Sequence, residues 1–242
     1  GDVYKRQVIE HDKKREVNLL KLRETLLNGT FHTSKYDVFT IYEPKEREIY
    51  RLPYFPDRIL HHAIMNVLEP IWVSTFTADT YSCIKNRGIH AAAKKVKQAL
   101  REDPEGTTFC LKLDIRKFYP SINHDVLKSI LRRKLKDKRL LRLLDEIIDS
   151  ADGVPIGNYL SQYFANLYLT YFDHWIKEQK RVKHYFRYAD DIVILASDKS
   201  YLHSLMGEIR AYLGDLKLEV KGNWQVFPVA ARGIDFVGYV FF

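Results

Sequence analysis

The stretch Tyr185-Phe186-Arg187-Tyr188-Ala189-Asp190-Asp191-Ile192-Val193-Ile194-Leu195 sets two adjacent carboxylates inside an otherwise apolar run. Runs this apolar form strands buried on both faces of a sheet. The stretch reads as two short strands with a turn at Ala189-Asp190. A second such stretch, Phe109-Cys110-Leu111-Lys112-Leu113-Asp114-Ile115, carries one acid, Asp114, in a buried strand. Burying an unpaired carboxylate is costly, so each acid needs compensation. A divalent cation is the strongest compensation available. Mg²⁺ binds through one or two carboxylates plus substrate phosphates. Two such ions about 4 Å apart serve in-line displacements. The alternative makes Asp190-Asp191 an ordinary hairpin turn and pairs Asp114 with a lysine such as Lys112. Apolar flanks and acids on two separate strands favour the cation.

Outward from these strands the pattern is mixed. Residues 10–28 read as a charged helix stopped at Asn28-Gly29. Residues 36–53 read as a hairpin turning at Glu43-Pro44 and carrying Lys45, Arg47 and Arg51. Asp57 is placed to cap a helix reaching Leu68, with Glu69-Pro70 as its end. Further helices are expected over 91–101, through the basic segment that carries Leu127 to Leu135, and over 140–148, 159–177 and 202–213. Residues 153–157 form a loop, and terminal strands fall at 218–220 and 236–241. Strands separated by helices and closed by hairpins indicate an α+β fold. His61-His62 reads as a helix-edge pair, and Cys83 and Cys110 as buried thiols.

The 242 residues carry 39 Lys and Arg against 31 Asp and Glu, a net charge of +8. The excess concentrates between Lys128 and Arg142, where eight basic residues face one acid, Asp137. Leu127, Ile130, Leu131 and Leu135 keep helical spacing there, so the charges share outward faces. That is an electrostatic footprint for a polyanion, or simply a solvated helix face. Two cysteines exclude a disulfide framework and a four-ligand zinc site. No run approaches the ~18 apolar residues of a membrane span, so no membrane partner is expected. A reducing, cytoplasmic setting follows as the default.

Tyr188-Ala189-Asp190-Asp191, with apolar residues after it, resembles the signature of reverse transcriptases. Leu113-Asp114-Ile115-Arg116-Lys117-Phe118-Tyr119 resembles that family's first catalytic strand. Gly153-Val154-Pro155-Ile156-Gly157-Asn158, continuing through Ser161-Gln162 to Ala165-Asn166-Leu167-Tyr168-Leu169, resembles its template- and nucleotide-facing loop and helix. Arg47, Leu52-Pro53 and Asp57-Arg58 resemble the finger motifs, and Gly233-Ile234-Asp235-Phe236-Val237-Gly238-Tyr239 the primer grip. These motifs run in family order from about Lys45 to the C-terminus. Ile156 stands where intron-type members carry Gln. With Asn223-Trp224-Gln225-Val226-Phe227-Pro228, it looks like the enzymes of diversity-generating retroelements.

The resemblance implies right-hand polymerase fingers and palm, the palm a mainly antiparallel sheet backed by helices. Residues 1–106 would hold an N-terminal helix and fingers. Residues 107–242 would hold the palm, with a helical insertion over about 124–150, ending at the primer grip. The family's helical thumb is missing after Phe242, or a partner supplies duplex grip. The implied activity is RNA-directed DNA synthesis, error-prone at template adenines, in a bacterial or phage-encoded protein. The alternatives are a defence-associated, CRISPR-linked or intron-like reverse transcriptase, or a silent nucleic-acid-binding module of the same fold. The implied partners are template RNA, a DNA or RNA primer, dNTPs and a basic accessory protein.

By the same resemblance Asp114, Asp190, Asp191 and the Ile115 carbonyl would hold two Mg²⁺ ions, for which Mn²⁺ can substitute. Arg47, Lys45 and Arg116 would meet the triphosphate. Tyr119 would gate against a 2′-hydroxyl. Ile156, Gly157 and Gln162 would face the nascent pair or template. Lys221 would protonate pyrophosphate.

Overall fold

A computed structural model describes residues 2–42 and 46–242. The chain forms two compact units interleaved in sequence. One holds the chain up to Trp72 together with His124–Phe164, the other Val73–Asn123 with Ala165–Phe242. This differs from a single division near residue 106. Residues 73–106 join the second unit because the helix Ile89–Glu102 buries its apolar face in that unit's core. The helical segment 124–150 joins the first unit. There the Thr33 amide donates to Glu146 at 3.1 Å, and the Tyr36 and Ser150 hydroxyls bond at 2.7 Å.

In the first unit the expected N-terminal helix is two, α1 (Asp2–Lys13) and α2 (Arg15–Leu27), parted at Lys14, whose backbone leaves helical geometry. Strands β1 (Asp37–Ile41) and β2 (Arg47–Arg51) form the expected antiparallel hairpin, Asp37 opposite Arg51 and Ile41 opposite Arg47. Helix α3 (Ile59–Val73) runs through Pro70 instead of ending there. Trp72, almost fully buried, packs against Tyr163 and Phe164, and the Tyr163 hydroxyl donates to Glu69 at 2.6 Å. Those contacts flank the proline and offset the hydrogen bond it cannot donate. Asp57 does not cap this helix. Its carboxylate accepts from the Ser34 amide at 3.0 Å and so ties the preceding loop down. His61 is no edge residue: it is 2% exposed, whereas His62 is exposed and stacks on Tyr159. Helices His124–Lys134 and Lys138–Ile148 form the basic hairpin, with Asp137 capping the second by accepting from the Leu140 amide at 2.8 Å.

The second unit is built on a four-stranded antiparallel sheet of order β4-β5-β3-β6. Its strands are β3 (Phe109–Asp114), β4 (His184–Tyr188), β5 (Asp191–Ala196) and β6 (Gln225–Pro228). Central β3 and β5 are apolar on both faces because both faces are covered. Helix α4 (Ile89–Glu102) turns Ala92, Ala93, Val96 and Ala99 into a core with Phe186, Val193, Phe236 and Phe241. Helix Lys199–Asp215, capped by Asp198, buries Leu202, Leu205, Met206, Ile209 and Leu213. Cys110 is buried in that core as expected; Cys83 is half-buried.

Two expected strands are remade. Residues 218–220 contribute only one bridge, Val220 with Ile115. The terminal strand is a hairpin, β7 (Ile234–Phe236) and β8 (Tyr239–Phe241), turned by Val237 and Gly238 at positive φ. The long apolar helix expected over 159–177 is segmented into Tyr159–Tyr168, Thr170–His174 and a wider turn at Trp175–Gln179. The fold is therefore α+β with an antiparallel sheet, as expected. Among the described residues no helix is long and apolar enough to cross a membrane.

Candidate active site

Antiparallel pairing sets Asp114, the last residue of β3, directly opposite Asp191, the first of β5. Directly opposed side chains share a face with their Cβ atoms about 5 Å apart. Asp190 precedes Asp191 in the turn, and its carbonyl accepts from the Ile115 amide at 3.2 Å. The turn is left-handed at Ala189 (φ 55°), a conformation a short side chain tolerates best. Three acids from two distant segments thus meet at one end of the sheet. The cost shows in Asp191. Burial, against the pull of Lys112 and with the charges of Asp114 and Asp190 adding to it, raises its carboxyl to about 6.

Two lysines supply the local counter-charge. Lys112 Nζ bonds the Asp191 carboxylate, not that of Asp114 as the simplest pairing would have it. Register explains this: Lys112 lies opposite Val193, so Asp191 is its diagonal neighbour on the same face. The Lys112 ammonium also lies 5.2 Å from the Phe236 ring centroid. Lys221 Nζ lies 3.7 Å from Asp114, and its amide donates to the Asp114 carbonyl at 2.8 Å. Hard oxygen donors at opposed strand ends are the donor chemistry Mg²⁺ prefers. Like charges set directly opposite are destabilising without a cation between them. The residues therefore fit such an ion. That fit is of donor chemistry and pairing register: among the described residues, no group of three or more His, Cys, Asp or Glu is arranged to hold a metal ion.

Beneath the turn lies a polar network that the sequence reading did not single out. Arg187, the fourth of the five residues of β4, and Asp173, on helix Thr170–His174, are both 0% exposed. The guanidinium grips the carboxylate through two bonds, Nε at 2.8 Å and Nη2 at 2.6 Å. Its Nη1 donates to the Ala189 carbonyl at 3.0 Å and to Asn166 Oδ1 at 3.2 Å. The Tyr185 hydroxyl and Thr80 Oγ1 donate to the same carboxylate. Burial, and then the Asp173 charge, pushes the Tyr185 phenol well up, so it stays a donor. The network fixes the carbonyl next to Asp190 from below. Its only trace in the sequence is Arg187 alternating with apolar neighbours.

The other anticipated residues divide into two groups. Arg116 and Tyr119 follow β3 in the same unit. Arg116 is exposed and paired with Glu219 at 3.1 Å, and its amide donates to the Glu219 carbonyl at 2.7 Å. The Tyr119 ring packs edge-on to Phe118. Burial, then Cys83 and Asp190, raises its phenol. Arg47, Ile156, Gly157 and Gln162 belong to the other unit. Arg47 is exposed on β2 and Gln162 is exposed on its helix. The Ile156 carbonyl accepts from the Tyr50 amide at 2.8 Å, docking the loop on the hairpin that carries Arg47. Gly157 has φ +114°, and a Cβ there would meet the Tyr50 carbonyl at 3.0 Å. Its close approach is to this hairpin. Lys45 lies outside the described residues.

Known proteins resemble this chain in sequence and in fold. Protein YkfC of Escherichia coli is 26% identical over 92% of this chain and 71% of its own length. The group II intron-encoded protein LtrA of Lactococcus lactis is 23% identical over 68% of this chain. The match spans only 29% of LtrA. A telomerase structure from Candida tropicalis, solved with a fragment of telomeric RNA, superposes with a TM-score of 0.64 at 14% identity. It covers 86% of this chain and 43% of that one, a likeness of fold. A family model described as reverse transcriptase (RNA-dependent DNA polymerase) matches residues 43–241. By that match over most of its length, the chain belongs to the reverse transcriptase family of enzymes.

Proposed function

We propose that this chain copies a template RNA into DNA by nucleotidyl transfer at the Asp114–Asp190–Asp191 end of the sheet. The observation that carries the proposal is the direct cross-strand opposition of Asp114 and Asp191 with Asp190 beside them. Asp114, Asp190, Asp191 and the Ile115 carbonyl would hold Mg²⁺ or, in its place, Mn²⁺. When bound, such ions supply charge stabilisation for the attacking and leaving oxygens. The primer 3′-oxygen bonds to the α-phosphorus of a dNTP as the bond to pyrophosphate breaks. Lys221, poised beside Asp114, is the candidate donor of a proton to the leaving pyrophosphate. Tyr119 would wall off the 2′ position. Arg116 would reach the triphosphate by exchanging its exposed pair with Glu219, a contact worth about 0–1 kcal/mol. Arg47 and Lys45 would contribute from the hairpin, which with α1, α2 and α3 we assign to the fingers. The four-stranded sheet is assigned to the palm. Asp190→Asn should abolish primer extension on RNA without loss of fold. Retention of more than about a tenth of the wild-type rate would refute the assignment, since removing a key charge-stabilising group costs 10²-fold or more.

The subgroup reading is a diversity-generating retroelement enzyme served by a basic accessory protein. It rests on Ile156, which cannot hydrogen-bond a nucleotide or template as Gln can. Gln162 and Gly157 would border the same pair. Sequencing of cDNA made by this chain should show errors concentrated at template adenines, and Ile156→Gln should reduce them. Evenly spread errors would favour the intron-type reading, which the similarity to LtrA supports.

A further inference from the structure

Residues two apart on a strand share a face, so Cys110, Lys112 and Asp114 form one stripe along β3. Pairing sets Leu195, Val193 and Asp191 of β5 beside them in that order. On the other side, Phe227 and Gln225 of β6 stand opposite Cys110 and Lys112. Cys110, Val193, Leu195 and Phe227 lie in the apolar core that Ile234, Phe236 and Phe241 of the β7–β8 hairpin also enter. One face of the sheet thus runs from that core to the acids, and Lys112 stands at the boundary. Its ammonium bonds the Asp191 carboxylate and also lies 5.2 Å from the centroid of the Phe236 ring. The Phe236 side chain is buried, and the side chains of Lys112 and Asp191 are only 20% and 27% exposed. Among the described residues this is the one ion pair of Lys112. The hairpin is a separate two-stranded sheet that shares no strand pairing with the four-stranded one. Lys112 is therefore a polar link between the hairpin and the acids.

A lysine that only neutralised Asp191 would need no ring beside it. Over the Phe236 ring, the ammonium meets the negative face of the aromatic quadrupole, an attraction that grows as water is excluded. Core packing fixes the ring. The ring limits where the ammonium sits, and the ammonium limits where the Asp191 carboxylate points. We propose that Lys112 is a positioning residue: held by Phe236, it aims Asp191 for nucleotidyl transfer and makes the rate of that step depend on the seat of the β7–β8 hairpin. The inference rests on the reaction proposed above, in which Lys112 itself touches no reacting atom.

The whole chain is assayed for single-turnover primer extension on RNA at saturating Mg²⁺, with maximal rate and dNTP affinity measured separately. Lys112→Gln should slow the bond-forming step by about 10–100-fold, the cost of misplacing a group by up to about 1 Å. Affinity for dNTP should be unchanged, since the interaction lost serves the transition state. Lys112→Arg keeps a cation that stacks on a ring, so it should recover most of the rate. Trifluorinated phenylalanine at position 236 keeps the ring's shape but strips its negative face, and should slow the step by about two- to tenfold. In Lys112→Gln the same replacement should change nothing further, because the ring acts through the ammonium. Proton NMR without dNTP or metal gives a second readout. The Lys112 ε-methylene signals should lie upfield, shifted by the Phe236 ring, and should return downfield in Phe236→Leu. An unchanged rate with the fluorinated ring, ring and lysine effects that multiply, a loss of dNTP affinity in place of rate, or unshifted methylenes would each overturn the proposal and leave the reaction standing. A wild-type chain that extends no primer would overturn the reaction and the proposal together.

Discussion

Removing the Arg187 guanidinium probes the network beneath the Ala189-Asp190 turn most sharply. In Arg187→Met the Asp173 carboxylate keeps only the Tyr185 and Thr80 hydroxyls, in a site with no solvent exposure. Breaking a buried ion pair by deleting one partner costs about 3–5 kcal/mol. The Ala189 carbonyl also loses its donor at 3.0 Å. For a chain of this size each kcal/mol lowers Tm by about 2–4 °C, so a fall of roughly 6–20 °C is expected. In the double variant Arg187→Met/Asp173→Leu the uncompensated charge is gone. Guanidinium unfolding should then show roughly 2–3 kcal/mol of coupling between the two sites. Stability and activity should part company in that variant. Stability returns toward wild type, but primer extension stays impaired because the carbonyl beside Asp190 still lacks its donor. A single variant within about 0.5 kcal/mol of wild type, the range of an ordinary surface change, would refute the reasoning. So would a double variant with full activity.

Three further outcomes follow from local geometry. Burial, then His62 and Arg58, lowers His61 from 6.5 to about 4. Below pH 6.5 the unfolded chain takes up a proton that the folded chain refuses. Stability should therefore be undiminished above that pH and fall by about 3 kcal/mol as pH drops toward 4. His61→Leu should flatten that part of the profile in pH-dependent urea unfolding. Gly157→Ala meets both a positive φ and the Tyr50 carbonyl. It should cost about 1–3 kcal/mol and loosen the β1–β2 hairpin, seen as faster amide exchange at Tyr50. Lys112→Met removes the cation that bonds Asp191. Without added divalent ion it should destabilise the chain, and Mg²⁺ or Mn²⁺ should restore more stability to the variant than to wild type, as measured by Tm shift.

The carboxylates at the end of the sheet were legible because charge inside an apolar strand is a conspicuous violation. The antiparallel register then brings Asp114 to Asp191. Their counter-ions were less legible: Lys112 and Asp114 share a strand and a face, yet the lysine reaches diagonally to Asp191. Only the pairing register decides that. Arg187 hid in plain view. At a buried strand position it reads as an outward-facing polar residue, and its partner Asp173 lies on a different element. Pro70 marked a helix end by local rules, but burial of Trp72 carried the helix past it. The interleaving of the two units escaped local reading altogether, because it depends on contacts such as Tyr36 with Ser150, 114 residues apart.

The claim that the acids converge around divalent cations has a direct chemical readout. With Fe²⁺ in place of Mg²⁺, ascorbate and peroxide generate hydroxyl radicals at the ion, and these cut the nearest backbone. Cleavage confined to the neighbourhoods of residues 114 and 190–191, suppressed by excess Mg²⁺ and lost in Asp190→Asn, is the expected result. Cuts at only one of those segments, or a pattern that Asp190→Asn leaves unchanged, would contradict the account.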